Sequence, residues 1–159
     1  MPQTALDAID VRILRELQAD GRLSNVALAE RVGLSPSPCL RRVRRLEEDG
    51  VIAGYRALLD RSKVSLGLTA FVAIRIEAHQ DERAAQVQEA LRAMPEVVAC
   101  HLVSGEADFL LEVVLPDLAA YERLLLGGLL KLPGVKDIRT SFAMRQVKPA
   151  ASLPLDQLA

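Results

Sequence analysis

The stretch SNVALAERVGLSPSPCLRRVRRLEEDG, residues 24–50, decides how this 159-residue chain is read. Ser24 is a good N-cap for a short helix in which Leu28, Ala29 and Val32 share one face, and Gly33 is a stop signal. Ser35 then caps a second helix. Pro36 takes its first position, where a missing N–H costs nothing, and Pro38 is still within the tolerated first turn. This helix runs to Asp49-Gly50, with Cys39, Val43 and Leu46 facing a core. Upstream, Leu6, Ile9, Ile13, Leu14 and Leu17 recur at helical spacing until Asp20-Gly21 ends the segment. Three helices and a tight Gly33-Leu34 turn have the dimensions of a helix-turn-helix.

At about 100° per residue, the side opposite Cys39, Val43 and Leu46 holds Ser37, Pro38, Arg41, Arg45 and, at its edge, Arg44. A helix fits the major groove of double-stranded DNA, where Arg pairs bidentately with guanine O6 and N7. Ser37 and the N–H groups of the first turn can hold a phosphate. Arg42 lies nearer the flank and suits backbone contact better than base reading. A solvated basic face balanced by Glu47, Glu48 and Asp49 is the competing explanation. The turn length and the capped helix with an apolar back favour DNA over it.

Charge distribution agrees. The net charge is −1, yet residues 1–63 hold 11 Lys and Arg against 9 Asp and Glu, while the remainder holds 9 against 12. Four of the positive charges fall between Arg41 and Arg45, which fits a localised phosphate contact better than general polyanion binding.

Composition removes other classes. With 50% hydrophobic and 26% charged residues the chain reads as a globular protein. The longest Leu-rich run, Leu124 to Leu132, contains two Gly and a Lys and is about half of a ~20-residue membrane span, so no membrane partner is expected. MPQTALDAID has neither a basic flank nor an apolar core, so no secretory signal is expected. Cys39 and Cys100 cannot build a disulfide framework or a metal cage and suggest a reducing cytoplasm. No Trp and only five Phe and Tyr argue against a stacking surface for single-stranded nucleic acid.

After Gly50, VIAGYRALLD is β-rich and reads as a small wing or an exit strand. Residues 61–67 read as a linker between a helix-turn-helix domain at 1–60 and a second domain at 68–148, with a tail at 149–159. The second domain repeats itself. Phe71 in TAFVAIRI and Phe109 in ADFLLEVV are 38 residues apart, as are Pro95 and Pro133. Each half reads strand, helix, Pro-marked loop, strand. The helices are expected at Asp81–Met94, with Ala84, Val87, Leu91 and Met94 inward, and at Asp117–Lys131, with Asp117 as N-cap and a costly Gly127-Gly128 inside. The whole is an α+β chain: a winged helix-turn-helix followed by a ferredoxin-like βαββαβ domain. Around Phe109 both alternating sets, Phe109, Leu111 and Val113 against Leu110 and Val114, are apolar. Helices cover only one face of such a sheet, so a second copy is expected on the other, giving a homodimer.

The run from Arg22 to Asp60 resembles the DNA-binding domain of the Lrp/AsnC (feast/famine) transcription regulators, and the run from Cys100 to Lys148 resembles their amino-acid-sensing domain. The resemblance covers roughly residues 5–148. It implies a sequence-specific regulator of transcription that binds double-stranded DNA as a dimer, often assembled to an octamer, and is tuned by a free amino acid, with leucine favoured. Asn25 to Arg44 match the family's helix-turn-helix motif, and together with the face of the helix read above this assigns Asn25, Ser35, Ser37, Pro38, Arg41, Arg42, Arg44 and Arg45 to DNA. The resemblance assigns Val103, Ser104, Gly105, Glu106, Ala107 and Asp108, a Gly-x-x-Asp loop, to the effector, with Thr140 as a polar position near it. Arg41 departs from the pattern, because a well-matched member of the family is acidic there.

The loop has suitable chemistry. Gly105 lets the chain turn with positive φ, so backbone N–H groups can converge on a carboxylate, and Asp108 can accept from an ammonium. An ordinary hairpin turn uses the same two residue types. Elsewhere, Cys39 reads as core packing, and adjacent Cys100 and His101 point to opposite faces of a strand and cannot share a metal. His79 reads as a solvated loop residue. No nucleophilic triad, phosphate loop or His/Cys cluster stands out, so neither catalysis nor a cofactor is expected. Two alternatives use the same architecture: a sirohaem-decarboxylase-like enzyme, for which two His and retained arginines are a poor fit, and an architectural DNA-compacting protein.

Overall fold

A computed structural model describes residues 5–77, 81–149 and 151–158. The chain forms two compact units, Met1–Leu58 with Lys148–Ala159, and Leu59–Val147.

The first unit contains α1 (Ala8–Ala19), α2 (Asn25–Val32) and α3 (Pro36–Glu48). A reciprocal capping box starts α1: the Asp7 carboxylate accepts from the N–H of Asp10, and the Asp10 carboxylate accepts from the N–H of Asp7. Ser24 Oγ accepts from Ala27 N at 3.2 Å and opens α2. Gly33 closes it at φ 73°, and the Leu34 N–H returns to the Ala29 carbonyl. Ile13, Leu14, Leu28, Ala29, Val32, Cys39 and Leu46 are buried together. Ser35 stands at the N-cap of α3 but its hydroxyl makes no capping bond, contrary to the sequence reading. Such a hydroxyl bonds the second or third helical N–H, and the third position here is Pro38, which has none.

Residues 51–60 carry no strand, so the expected wing or exit strand has no ladder within the chain. The segment read as a tail lies on α1. The Leu153 N–H donates to Gln18 Oε1 at 2.6 Å, Arg15 pairs with Asp156 at 2.8 Å, and Leu155 packs against the helical core.

The second unit contains β1 (Leu68–Ile76), α4 (Asp81–Ala93), β2 (Val97–Leu102), β3 (Phe109–Leu115), α5 (Leu118–Gly127) and β4 (Val135–Phe142). The strand order is β2-β3-β1-β4 with every neighbouring pair antiparallel, which is the ferredoxin-like arrangement. Residues 61–64, inside the stretch read as linker, form a 3-10 turn. Asp117 caps α5 by accepting from Ala120 N at 2.7 Å. That helix stops at Gly127 instead of running to Lys131, and Leu129–Lys131 form a separate 3-10 turn. A Cβ on Gly128 would meet the Leu124 carbonyl oxygen at 2.9 Å, so close approach excludes a side chain there. On Gly127 a Cβ would meet nothing within 4 Å, so packing inside the chain does not explain that glycine.

Ala70, Val72 and Ile74 of β1 and Phe109, Leu111 and Val113 of β3 are buried against Val87, Leu91, Ala120 and Tyr121 of the helices. Ala84 and Met94 are only half-buried. The opposite face holds Phe71 (44% exposed), Ala73 and Leu110 (38% exposed) in its centre. It is polar toward β4, where Arg139 and Ser141 stand beside Ala73 and Phe71. Arg61 lies across this face, bonding Glu112 at 2.8 Å and Thr69 Oγ1 at 3.0 Å. His79 lies outside the described residues.

Candidate DNA-binding and effector sites

The exposed face of α3 is a shallow depression of about 670 Å³ lined by Ser37, Leu40, Arg41, Arg42, Arg44, Arg45 and Glu48. Ser37, Arg41, Arg44 and Arg45 are exposed, Pro38 and Arg42 half-buried, and Cys39 and Leu46 buried behind them. Burial among apolar side chains pushes the Cys39 thiol above its ordinary pKa.

The four arginines divide into two pairs. Arg42 Nη1 bonds Asp7 at 2.6 Å and Asp10 at 2.8 Å, and Arg45 Nη2 bonds Asp10 at 2.5 Å. These are ties from α3 back to α1, which the sequence reading of Arg42 as a flank contact and Arg45 as a groove residue did not include. Arg41 and Arg44 take part in no ion pair among the described residues. Asp7 is held below its ordinary pKa, first by the Asp10 N–H and then by Arg42, while Asp7 and then Asp10 raise Arg42. Asn25 Nδ2 donates to the Pro36 carbonyl at 2.8 Å, so this amide ties α2 to the first turn of α3. The signal for the arginine ties is the Asp7/Asp10 capping spacing on an α1 whose apolar face packs on α3.

The loop read from the sequence as the effector site joins β2 to β3. Gly105 has φ 121°, as its role in the turn requires, and Ser104, Gly105 and Glu106 are exposed. Val103 and Asp108 close the loop: the Val103 N–H donates to the Asp108 carbonyl at 2.9 Å. The Asp108 N–H donates to the Ile74 carbonyl at 2.9 Å, and its Oδ2 accepts the Ile76 N–H at 2.8 Å. Half of the carboxylate read as an ammonium acceptor is therefore engaged on the end of β1. Glu106 pairs with Arg139 at 2.9 Å and Ala107 is half-buried. Thr140 Oγ1 shares a hydrogen bond with the Tyr121 hydroxyl, and Tyr121 packs edge-on against Phe142. Thr140 thus lies on the helix-covered face, whereas Arg139 lies on the open one. Among the described residues no group of three His, Cys, Asp or Glu could hold a metal.

A three-helix unit with a basic recognition helix, followed by a ferredoxin-like unit, defines a DNA-binding regulator with an attached sensing domain. Residues 6–53 match the winged helix-turn-helix DNA-binding family, and residues 69–153 match the Lrp/AsnC ligand binding domain family. The chain belongs to the Lrp/AsnC family. It is 49% identical over 152 residues to the leucine-responsive regulatory proteins of Klebsiella pneumoniae and Escherichia coli K12, covering 96% of this chain and 93% of each relative. Its fold matches a Neisseria meningitidis transcriptional regulator crystallised as an L-methionine complex, with TM-score 0.93 and 42% identity over 97% of this chain and 99% of that one. An AsnC family regulator from Agrobacterium tumefaciens matches with TM-score 0.92 and 43% identity over 97% of this chain and all of the other.

Proposed function

We propose that this chain regulates transcription from the cytoplasm by laying α3 in the major groove and by answering to a small apolar amino acid, leucine favoured. The observation that carries the reading is the exposed face of Ser37, Arg41, Arg44 and Arg45 on a helix whose back, Cys39 and Leu46, is locked into the three-helix core. Arg41 and Arg44 supply phosphate contacts, and Arg45 presents its remaining donors to a base edge. Ser35, Ser37 and Pro38 bring the first turn of α3 to the backbone, Asn25 sets its angle, and Arg42 braces it from the flank.

The effector carboxylate is taken by backbone N–H groups around Ser104, Gly105, Glu106 and Ala107. The second oxygen of Asp108 takes the ammonium, and Val103 borders the apolar side chain. Thr140 acts indirectly, through Tyr121. The relatives support an apolar amino acid: leucine-responsive regulatory proteins in one group, a regulator crystallised as an L-methionine complex in the other.

The working unit is a homodimer, assembling further to an octamer, with Phe71, Ala73 and Leu110 covered by the same face of a second copy. Regulation is favoured over sirohaem-type catalysis because the basic face of α3 is intact and the relatives are named as regulators.

The experiment is selection of binding sites from a random duplex pool, then titration of the selected site with and without leucine and methionine. A selected sequence, and an amino acid that shifts its affinity, are expected. A thermal shift identifies the ligand, since an amino acid at 100 times its Kd adds about 2.7 kcal/mol. Binding that is equal on selected and random duplexes and indifferent to every amino acid would leave only the architectural reading.

A further inference from the structure

Asp10 is the buried charged side chain of the chain's described residues, at 1% exposure, and it lies behind a DNA-binding face. A carboxylate removed from water persists only when its oxygens are paired. Here Oδ1 accepts from Arg42 Nη1 at 2.8 Å, and Oδ2 accepts from Arg45 Nη2 at 2.5 Å and from the Asp7 N–H at 3.1 Å. The Asp7 carboxylate adds a second bond to Arg42 at 2.6 Å. Two carboxylates of α1 therefore face two guanidiniums of α3 and cancel their charge. Arg41 and Arg44, one helical turn or less away, have no such compensation among the described residues.

These pairs differ in what they can do to DNA. A free guanidinium on a phosphate releases condensed counterions, which strengthens binding to every sequence and steepens its salt dependence by about 0.9 per contact. A guanidinium whose charge is already cancelled contributes little of that term. It still carries five donors, of which Arg45 spends one on Asp10, and it stands in one orientation at the groove face. Oriented donors read base edges; free charges hold phosphates.

We infer that Asp10 is a specificity-determining positioning residue. It withdraws Arg42 and Arg45 from indiscriminate phosphate binding and holds the Arg45 guanidinium ready for a base edge. This rests on the DNA-binding reading of α3 given above.

The test compares variants of the full chain on a random-sequence 40-base-pair duplex and on a site selected from a random pool, across salt concentrations. Asp10→Asn keeps the shape and removes the charge. It is expected to bind the random duplex several-fold more tightly, to steepen its salt slope by about 1–2, and to lose preference for the selected site. Unchanged slope and preference in a folded Asp10→Asn protein would overturn the inference and leave Asp10 a brace between helices.

Arg45→Gln and Arg41→Gln cover the case in which Asp10→Asn fails to fold, as judged by circular dichroism. Arg41→Gln should reduce the slope on the random duplex by about 0.9, whereas Arg45→Gln should reduce it little but erode the preference for the selected site. Equal losses of slope from the two would overturn the inference. A wild-type protein that binds neither duplex would overturn the DNA reading as well, so the two failures are distinguishable.

Discussion

The two units of the chain handle their surfaces differently. The helical unit buries the facing apolar sides of its three helices in one core and answers its buried charge internally, so what α3 shows outside is a largely polar face on which Arg41 and Arg44 have no ion-pair partner among the described residues. The sheet unit buries one face under α4 and α5 but leaves Phe71, Ala73 and Leu110 open in the centre of the other. It also leaves Leu118, Leu126 and Leu130 exposed on and just beyond α5. The basic face of α3 suits phosphate. The open face of the sheet suits protein. A regulator needs both, because a ligand shifts DNA affinity only through its differential affinity for two states of the protein.

The sharpest way to break this contrast is a charge on either side of β3. Leu111 is fully buried against the helices and Leu110 is on the open face, which resolves an ambiguity that alternation alone leaves. Leu111→Asp should unfold the sheet unit, at a cost of about 3–5 kcal/mol, and Leu110→Asp should leave a folded subunit that no longer dimerises. Circular dichroism and sedimentation separate the outcomes, and two folded dimers would sink the open-face interface. In the helical unit, Leu46→Ala should cost about 2–5 kcal/mol in denaturant midpoint measurements because its side chain is wholly buried.

Smaller effects sharpen the contrast. Removing the hydroxyl in Tyr121→Phe deprives Thr140 of its partner and should cost about 1 kcal/mol of thermal stability, leaving random-duplex binding unchanged. Arg44→Ala should leave stability alone while reducing the salt slope on DNA by about 0.9. The least effect belongs to Asp7. Its folded pKa is lowered, so its contribution is present above the ordinary carboxylate range and is lost as pH falls through that range and past the lower folded value. An Asp7→Asn chain should therefore show a weaker loss of stability on acidification than the wild type; parallel acid titrations would contradict the pairing.

Much of the helical unit was legible because its signals are local. Ser24, Gly33 and Pro36 punctuate helices through their own backbone chemistry, and the apolar spacing of Leu28, Ala29 and Val32 states which face is inward. The βαββαβ plan followed from the 38-residue repeat. What was hidden depends on contacts between segments far apart in sequence. Nothing in the run from Arg41 to Arg45 says that Asp10, more than thirty residues earlier, takes up Arg42 and Arg45. Likewise, the Gly-x-x-Asp spacing does not show that Asp108 is half spent on the Ile76 N–H. The docking of Leu155 on the helical core and the break of α5 at Gly128 were also beyond reach, the first being a long-range contact and the second a close approach to a carbonyl.

The contrast between a DNA-facing unit and a sensing unit proposed to be completed by a second copy meets its most direct test in a single titration. A site selected from a random duplex pool is titrated with wild-type protein, with and without saturating leucine, while sedimentation follows the assembly. The expected result is a selected site bound far better than random DNA, an affinity that shifts with leucine, and a change in assembly over the same leucine range. Tight, selective binding by a monomer that ignores leucine, methionine and the other amino acids alike would contradict it.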